Sequence, residues 1–304
     1  MIKSITITNY LGQSITLDMR SPDKSGLYIK KIEGLGPPNA TINAKEIATF
    51  DGGLYNSARA STRNIVLTLG FLPNPSIEDM RQLTYKYFPI KKKLRFLIET
   101  DNRIAETYGY VESNEPDIFS QNETTEISII CPDPYFYSAG DSGKNVTVFS
   151  GSEPLFEFPL INGSLTEKLI EVGQVWVTTE GLVIYEGDTE VGVLITIHAV
   201  GDVGSITIRN LQTGEVMRID NTKIETITGS GIKYGDDIYI NTVKGDKYIT
   251  LKRDGETKNI LNAIDKDAKW FQLVKGDNVF SYTADSGKEN IQFKIESQTV
   301  YEGV

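Results

Sequence analysis

Two residues with the chemistry of a catalytic pair each occur once in the chain, Cys131 and His198. A Cys–His dyad needs a thiolate beside an imidazole base, and a zinc site needs further Cys or His ligands, which are absent here. Cys131 ends the alternating run "ETTEISIIC" and His198 sits inside "VLITIHAV", so both read as structural members of strands. Ser21 and Lys24 form "SPDK", a formal S-x-x-K match in a polar turn without the accompanying motifs of Ser–Lys enzymes. No G-x-S-x-G or P-loop is present, and "GSGIKYG" has the wrong spacing for a dinucleotide fingerprint. Carboxylates number 41, but nothing selects two of them as a glycosidase pair. The basic run "KKKLR" at 91–95 reads as a solvated strand entry. Trp176 and Trp270 lie in apolar contexts that favour core packing over sugar stacking. These residues imply no catalytic site, no cofactor and no metal.

The elements that must position everything else are strands. Period-2 alternation recurs in "ITITNY", "NIVLTLGF", "KLRFLIET", "ETTEISII", "KNVTVF", "GQVWVTT", "VLITIHAV", "GSITIRN", "DDIYINT", "KYITLKR", "NVFSYTA" and "IQFKIES". One segment, about 76–88, has helix grammar: Ser76 as cap, Asp79 completing a capping box, and Ile77, Met80, Leu83, Tyr87 and Phe88 on one face before Pro89. A weaker helical turn is expected at "TKNILNAID". The fold class is therefore mainly β with one real helix.

At 304 residues the chain is expected to hold two domains. It has no apolar run long enough for a membrane helix, and its start, "MIKSITITNY", lacks a signal-peptide core, so synthesis in the cytoplasm is expected. The net charge of −10 argues against sequence-independent nucleic-acid binding. That charge is uneven: residues 1–138 carry 15 Lys and Arg against 16 Asp and Glu, leaving 16 against 25 in the rest. The shift supports a boundary near "ICPDPYFYSAGDSG", where Pro132 and Pro134 end a strand and Gly140 and Gly143 let the chain turn. Domains of 1–138 and 139–304 follow. Within the first, residues 34–64 are rich in small and polar residues, and the reading divides between a solvated loop or long hairpin and an arm that grips a partner.

"GLGPPNATI", "ATFDGGLYNSARASTRNIVLTLGF", "KKKLRFLIETDNRIAETYGYVES" and "ISIICPDPYFY", in that order, resemble the N-terminal domain of the phage distal tail protein (Dit) family. "GVLITIHAVGDVGSITIRNLQTGEVMRID", "YGDDIYINTVKGDKYITL" and "WFQLVKGDNVFSYTADSG" resemble its galectin-like C-terminal domain. The resemblance implies an N-terminal β-sandwich or split barrel that assembles as a sixfold ring at a phage tail tip, around the channel that DNA traverses. It implies a galectin-like, jelly-roll second domain projecting outward. The partners implied are other copies of the chain, a tail-tube protein, a tail-tip hub protein and receptor-binding or baseplate proteins, in a virion and without enzymatic activity.

On that reading Asp51, Gly52, Gly53, Arg59 and Arg63 are the expected subunit contacts, and Pro132, Pro134, Gly140 and Gly143 the joint between domains. A carbohydrate-binding module is the competing reading and would need an exposed Trp or Tyr platform.

Overall fold

The computed structural model describes residues 1–46, 51–73, 76–120, 122–140, 144–154, 173–177 and 179–304, with the backbone alone for 150–154 and 173–177. The chain forms two compact units, residues 1–143 with 300–304, and residues 144–299.

The first unit contains β1 (Ile2–Thr8), β2 (Ser14–Asp18), β3 (Leu27–Glu33), β4 (Ala40–Glu46), β5 (Gly53–Ala60), β6 (Arg63–Phe71), α1 (Ile77–Tyr87), β7 (Lys93–Thr100), β8 (Ile104–Asp117), β9 (Thr124–Cys131) and β10 (Phe136–Ser138). Its main sheet is antiparallel in the order β2-β1-β7-β8-β9-β6-β3. Strand alternation buries Ile5, Ile7, Leu94, Phe96, Ile98, Ile65, Leu67, Leu69, Ile127 and Ile129 on one face. The edge strands β2 and β3 approach each other, so the sheet curls around that core. Helix α1 begins where the sequence places it. The Ser76 hydroxyl accepts from the Asp79 amide at 3.1 Å and donates to the Asp79 carboxylate at 2.6 Å. Met80 and Phe88 are buried against the sheet.

The second unit contains β11 (Lys144–Val148), β12 (Ser150–Pro154), β13 (Gly173–Val177), β14 (Glu180–Tyr185), β15 (Val191–Gly192), β16 (Leu194–Ala199), β17 (Ile206–Asn210), β18 (Glu215–Ile219), α2 (Asn221–Thr228), β19 (Asp237–Asn241), β20 (Tyr248–Arg253), β21 (Glu256–Asn259), β22 (Gln272–Leu273), β23 (Gly276–Ala284) and β24 (Ile291–Gln298). A six-stranded sheet, β11-β24-β16-β19-β20-β21, and a four-stranded sheet, β14-β23-β17-β18, form its body. Tyr282 from the smaller sheet stacks on Phe293 from the larger at 4.8 Å, and Phe149 meets Phe293 edge-on at 4.9 Å. The two sheets therefore share one aromatic core, as in a β-sandwich.

The chain is mainly β, as its alternation implies, but the expectation of one real helix changes. "TKNILNAID" does carry a short helical turn, the 3-10 turn Leu261–Ala263, just after the end of strand β21. A second α-helix, α2, lies elsewhere, capped by Asp220 and closed by Gly229 in the left-handed conformation. Its "IETIT" is β-branched and disfavours a helix locally, so caps and packing of buried Ile224 decide it.

The last strand, β25 (Val300–Tyr301), pairs with β10, which also pairs with β8. Residues 300–304 thus belong to the first unit, although they follow directly on β24 of the second.

Candidate functional site

Strands β4 and β5 form a hairpin that joins no other sheet. None of its described side chains is buried, and Ile42, Leu54 and Tyr55 are among the exposed apolar residues. Within residues 34–64, weakly structured by composition, Ala40–Glu46 and Gly53–Ala60 thus pair as a two-stranded arm. The small and polar residues suit a ribbon solvated on both faces. Asn43 bridges to Ser57 at 3.1 Å and Thr41 to Ser61 at 3.1 Å, contacts that need no core. An isolated hairpin is marginal in water, and its outer edges present unpaired backbone groups.

Asp51 is exposed in the turn toward β5, Gly52 has φ +96, and Gly53 faces Glu46 across the hairpin. Arg59 is exposed on β5 opposite Thr41. These four expected contact residues lie on the arm together. Arg63 does not join them.

Arg63 opens β6 and is 3 % exposed. Its Nε donates to the Pro134 carbonyl at 2.6 Å, one Nη to the carbonyls of Gly34 and Gly36, and the other Nη to the Glu302 carbonyl at 2.6 Å. The guanidinium also lies 4.4 Å above the buried Phe136 ring. Burial pulls its pKa below the ordinary arginine value, while the nearby Cys131 and Asp133 oppose the shift. Arg63 therefore ties the arm root, the Pro134 post and the returning strand to one point. Gly34 has φ +83, and a Cβ there would collide with the Asn64 carbonyl, so the arm leaves the body through a position that requires glycine. The Val304 amide donates to the Leu35 carbonyl at 3.0 Å and completes the root. One signal in the sequence points to this role: Arg63 is in phase with Ile65, Leu67 and Leu69, the inward set of β6.

The segment expected as a joint is built into the first unit at least as far as Ala139, whose amide donates to the Ile104 carbonyl at 2.9 Å. Asp133 accepts from the Tyr135 amide at 3.1 Å and the Tyr137 hydroxyl at 2.6 Å, and Thr107 donates to the Tyr135 carbonyl at 3.1 Å. Pro132 and Pro134 stand at the end of β9 and Gly140 has φ +76, whereas Gly143 lies outside the described residues.

The residues with catalytic chemistry are held elsewhere. Cys131 is fully buried, and burial pushes its thiol up to about 11, so it stays protonated near neutral pH. His198 Nδ1 lies 2.7 Å from an Asp237 carboxylate oxygen of the adjacent strand, in the other unit. Lys24 pairs with Asp18 at 3.4 Å and not with Ser21. Trp270 is partly buried with the Lys247 ammonium 5.2 Å from its ring centre, so a cation already occupies one face. The Trp176 side chain lies outside those described. Among the described residues no group of three or more His, Cys, Asp or Glu could hold a metal, and no helix is long and apolar enough to cross a membrane.

No family model matches the sequence, and no curated protein does. Among solved structures, the chain is similar to the crystal structure of Dit from phage SPP1, described as a paradigm of the hub adsorption apparatus in phages infecting Gram-positive bacteria. The TM-score is 0.66 at 12% identity, covering 98% of this chain and 99% of that one. It also matches chains of the phage P2 baseplate in its activated conformation with calcium (TM-score 0.47, 12% identity, 98% and 99% covered) and of the phage p2 baseplate with strontium (0.41, 11%, 97% and 98%). At 12% identity the likeness is one of fold: over nearly its whole length the chain has the fold of SPP1 Dit.

Proposed function

We propose that this protein is a structural component of a phage tail tip, or of a phage-derived tail-like particle, and that its first unit assembles with other copies into a ring of six. The observation that carries the reading is the full-length match in fold to SPP1 Dit. Collinear resemblance in the sequence supports it independently. The ring joins the tail tube on one side to the tail-tip hub on the other, and the second unit supports adsorption or baseplate proteins. The role is architectural and not enzymatic.

The arm is the subunit clasp in this reading, with Asp51, Gly52, Gly53 and Arg59 as contact residues. An exposed ribbon that carries Ile42, Leu54 and Tyr55 gains most from being covered by a neighbour. Arg63 acts at its base. The joint between the units is assigned to Pro132, Pro134, Gly140 and Gly143, the prolines stiffening the end of β9.

Negative-stain microscopy and native mass spectrometry of the purified chain, alone and with its tube and hub partners, test the proposal. A sixfold ring with a central pore is the expected result. A chain that stays monomeric with both partners present would overturn it. Arg59→Glu with Leu54→Ser should abolish the ring while leaving a folded monomer; an intact ring in that variant would remove the arm from the interface.

A further inference from the structure

Four lysines near one end of the first unit, Lys86, Lys91, Lys92 and Lys93, have no described carboxylate oxygen within 4.0 Å. What sets the four apart is that three of them are consecutive in the chain. Three of the four instead lie on tyrosines: Lys86 on Tyr87 at 5.4 Å, Lys92 on Tyr10 at 5.3 Å and Lys93 on Tyr108 at 4.5 Å.

The backbone makes these residues one surface. Asn9 in the β1–β2 turn donates to the Lys86 carbonyl at 3.2 Å, which ties the end of α1 beside Tyr10. The Lys91 amide donates to the Val111 carbonyl at 2.9 Å, and Lys93 faces Tyr110 across β7 and β8. Lys91 itself has φ +64, a left-handed conformation that costs a non-glycine residue roughly 1 kcal/mol or more. The turn thus holds three consecutive lysines outward at a conformational cost. Between them the surface is apolar: Tyr10, Leu11, Ile90, Tyr108 and Tyr110 are all exposed, Leu11 to 63 %.

We propose that this lysine–tyrosine surface docks a second protein through an acidic face with apolar side chains at its centre, at a place distinct from the arm. Exposed aromatic and aliphatic groups interleaved with lysines match the anatomy of a protein interface, and the lysines supply steering. A nucleic acid fits less well. Base stacking needs open aromatic faces, and the lysines cover three of these rings. The net charge of the whole chain also repels a long polyanion.

Fluorescence anisotropy with the full chain tests the proposal, using as probes a labelled peptide of alternating Glu and Leu, its Lys and Leu counterpart, and a short DNA duplex. The wild type should bind the Glu peptide, more weakly as salt is raised, and should ignore the Lys peptide. Reversing three exposed pairs, at up to about 1 kcal/mol each, predicts that K91E/K92E/K93E loses about tenfold or more in affinity. K91R/K92R/K93R should retain binding, and Leu11→Ser with Ile90→Ser should weaken it while thermal unfolding stays near wild type. Absence of Glu-peptide binding, indifference to the charge reversal, indifference to loss of Leu11 and Ile90, or tighter binding of duplex DNA through the same lysines would each overturn the proposal.

Discussion

A guanidinium taken out of water must find acceptors for its N–H groups, and Arg63 finds four carbonyls from Gly34, Gly36, Pro134 and Glu302. Arg63→Met would leave those carbonyls without their donor and should destabilise the protein by about 3 kcal/mol in denaturant unfolding. Hydrogen exchange distinguishes an anchor from generic packing: amides at the arm root and at Val304 should lose protection before those of β7 and β8. Arg63→Lys should be intermediate, because one ammonium cannot span the same fork. Cys131 offers a prediction with a pH sign. Burial raises its folded pKa from 9.0 to about 11, so folding favours the protonated thiol. Its contribution is complete below the unfolded pKa and is lost as pH rises through that window, at up to about 1.4 kcal/mol per pH unit. The stability difference between wild type and Cys131→Ala should therefore shrink between pH 9 and 11, and native protein should resist thiol reagents at pH 8.

Among the elements, α1 and the strands rest on local chemistry, whereas the arm does not. Replacing Ser76 with Ala removes the cap on the Asp79 amide and should cost about 1 kcal/mol in thermal unfolding. In the second unit, Arg253 grips Asp236 through both carboxylate oxygens, at 2.7 and 2.5 Å, and also donates to Ser230 and Gly231. Asp236 is nearly inaccessible, so Asp236→Ala strands an arginine in the β19–β20 region and should cost about 3 kcal/mol or more. The arm, with no buried side chain among those described, should be cut by trypsin at Lys45 or Arg59 in the free chain and protected once assembled. Legibility differed in the same way. The twelve alternating segments all fall on strands, and the cap of α1 was visible in Ser76 and Asp79. The arm was visible only as an absence of core residues, because a ribbon solvated on both faces has no period to read. Helix α2 was hidden because its β-branched residues signal a strand.

For the whole molecule, the most consequential feature is the return of residues 300–304 to the first unit. A fragment of residues 1–143 lacks one of the two strands that pair with β10 and one of the four acceptors of Arg63. It should be less stable than the same fragment with a peptide of residues 299–304 added in saturating amount, by order 2 kcal/mol in denaturant midpoint titrations. Such coupling lies between residues 239 positions apart, and no local pattern can announce it. The sequence by itself determined the β class, the strand identities, the helix at 77–87 and the change of charge between halves, because alternation, capping and composition act over a few residues or over none in particular. It even held the phase that turns Arg63 inward, beside Ile65, Leu67 and Leu69. Only the tertiary structure decided which carbonyls meet that side chain, which unit claims the last strand, and which lysines gather on tyrosines without a carboxylate. Those outcomes depend on distant segments converging, and the chain records each segment's preference but not its partner.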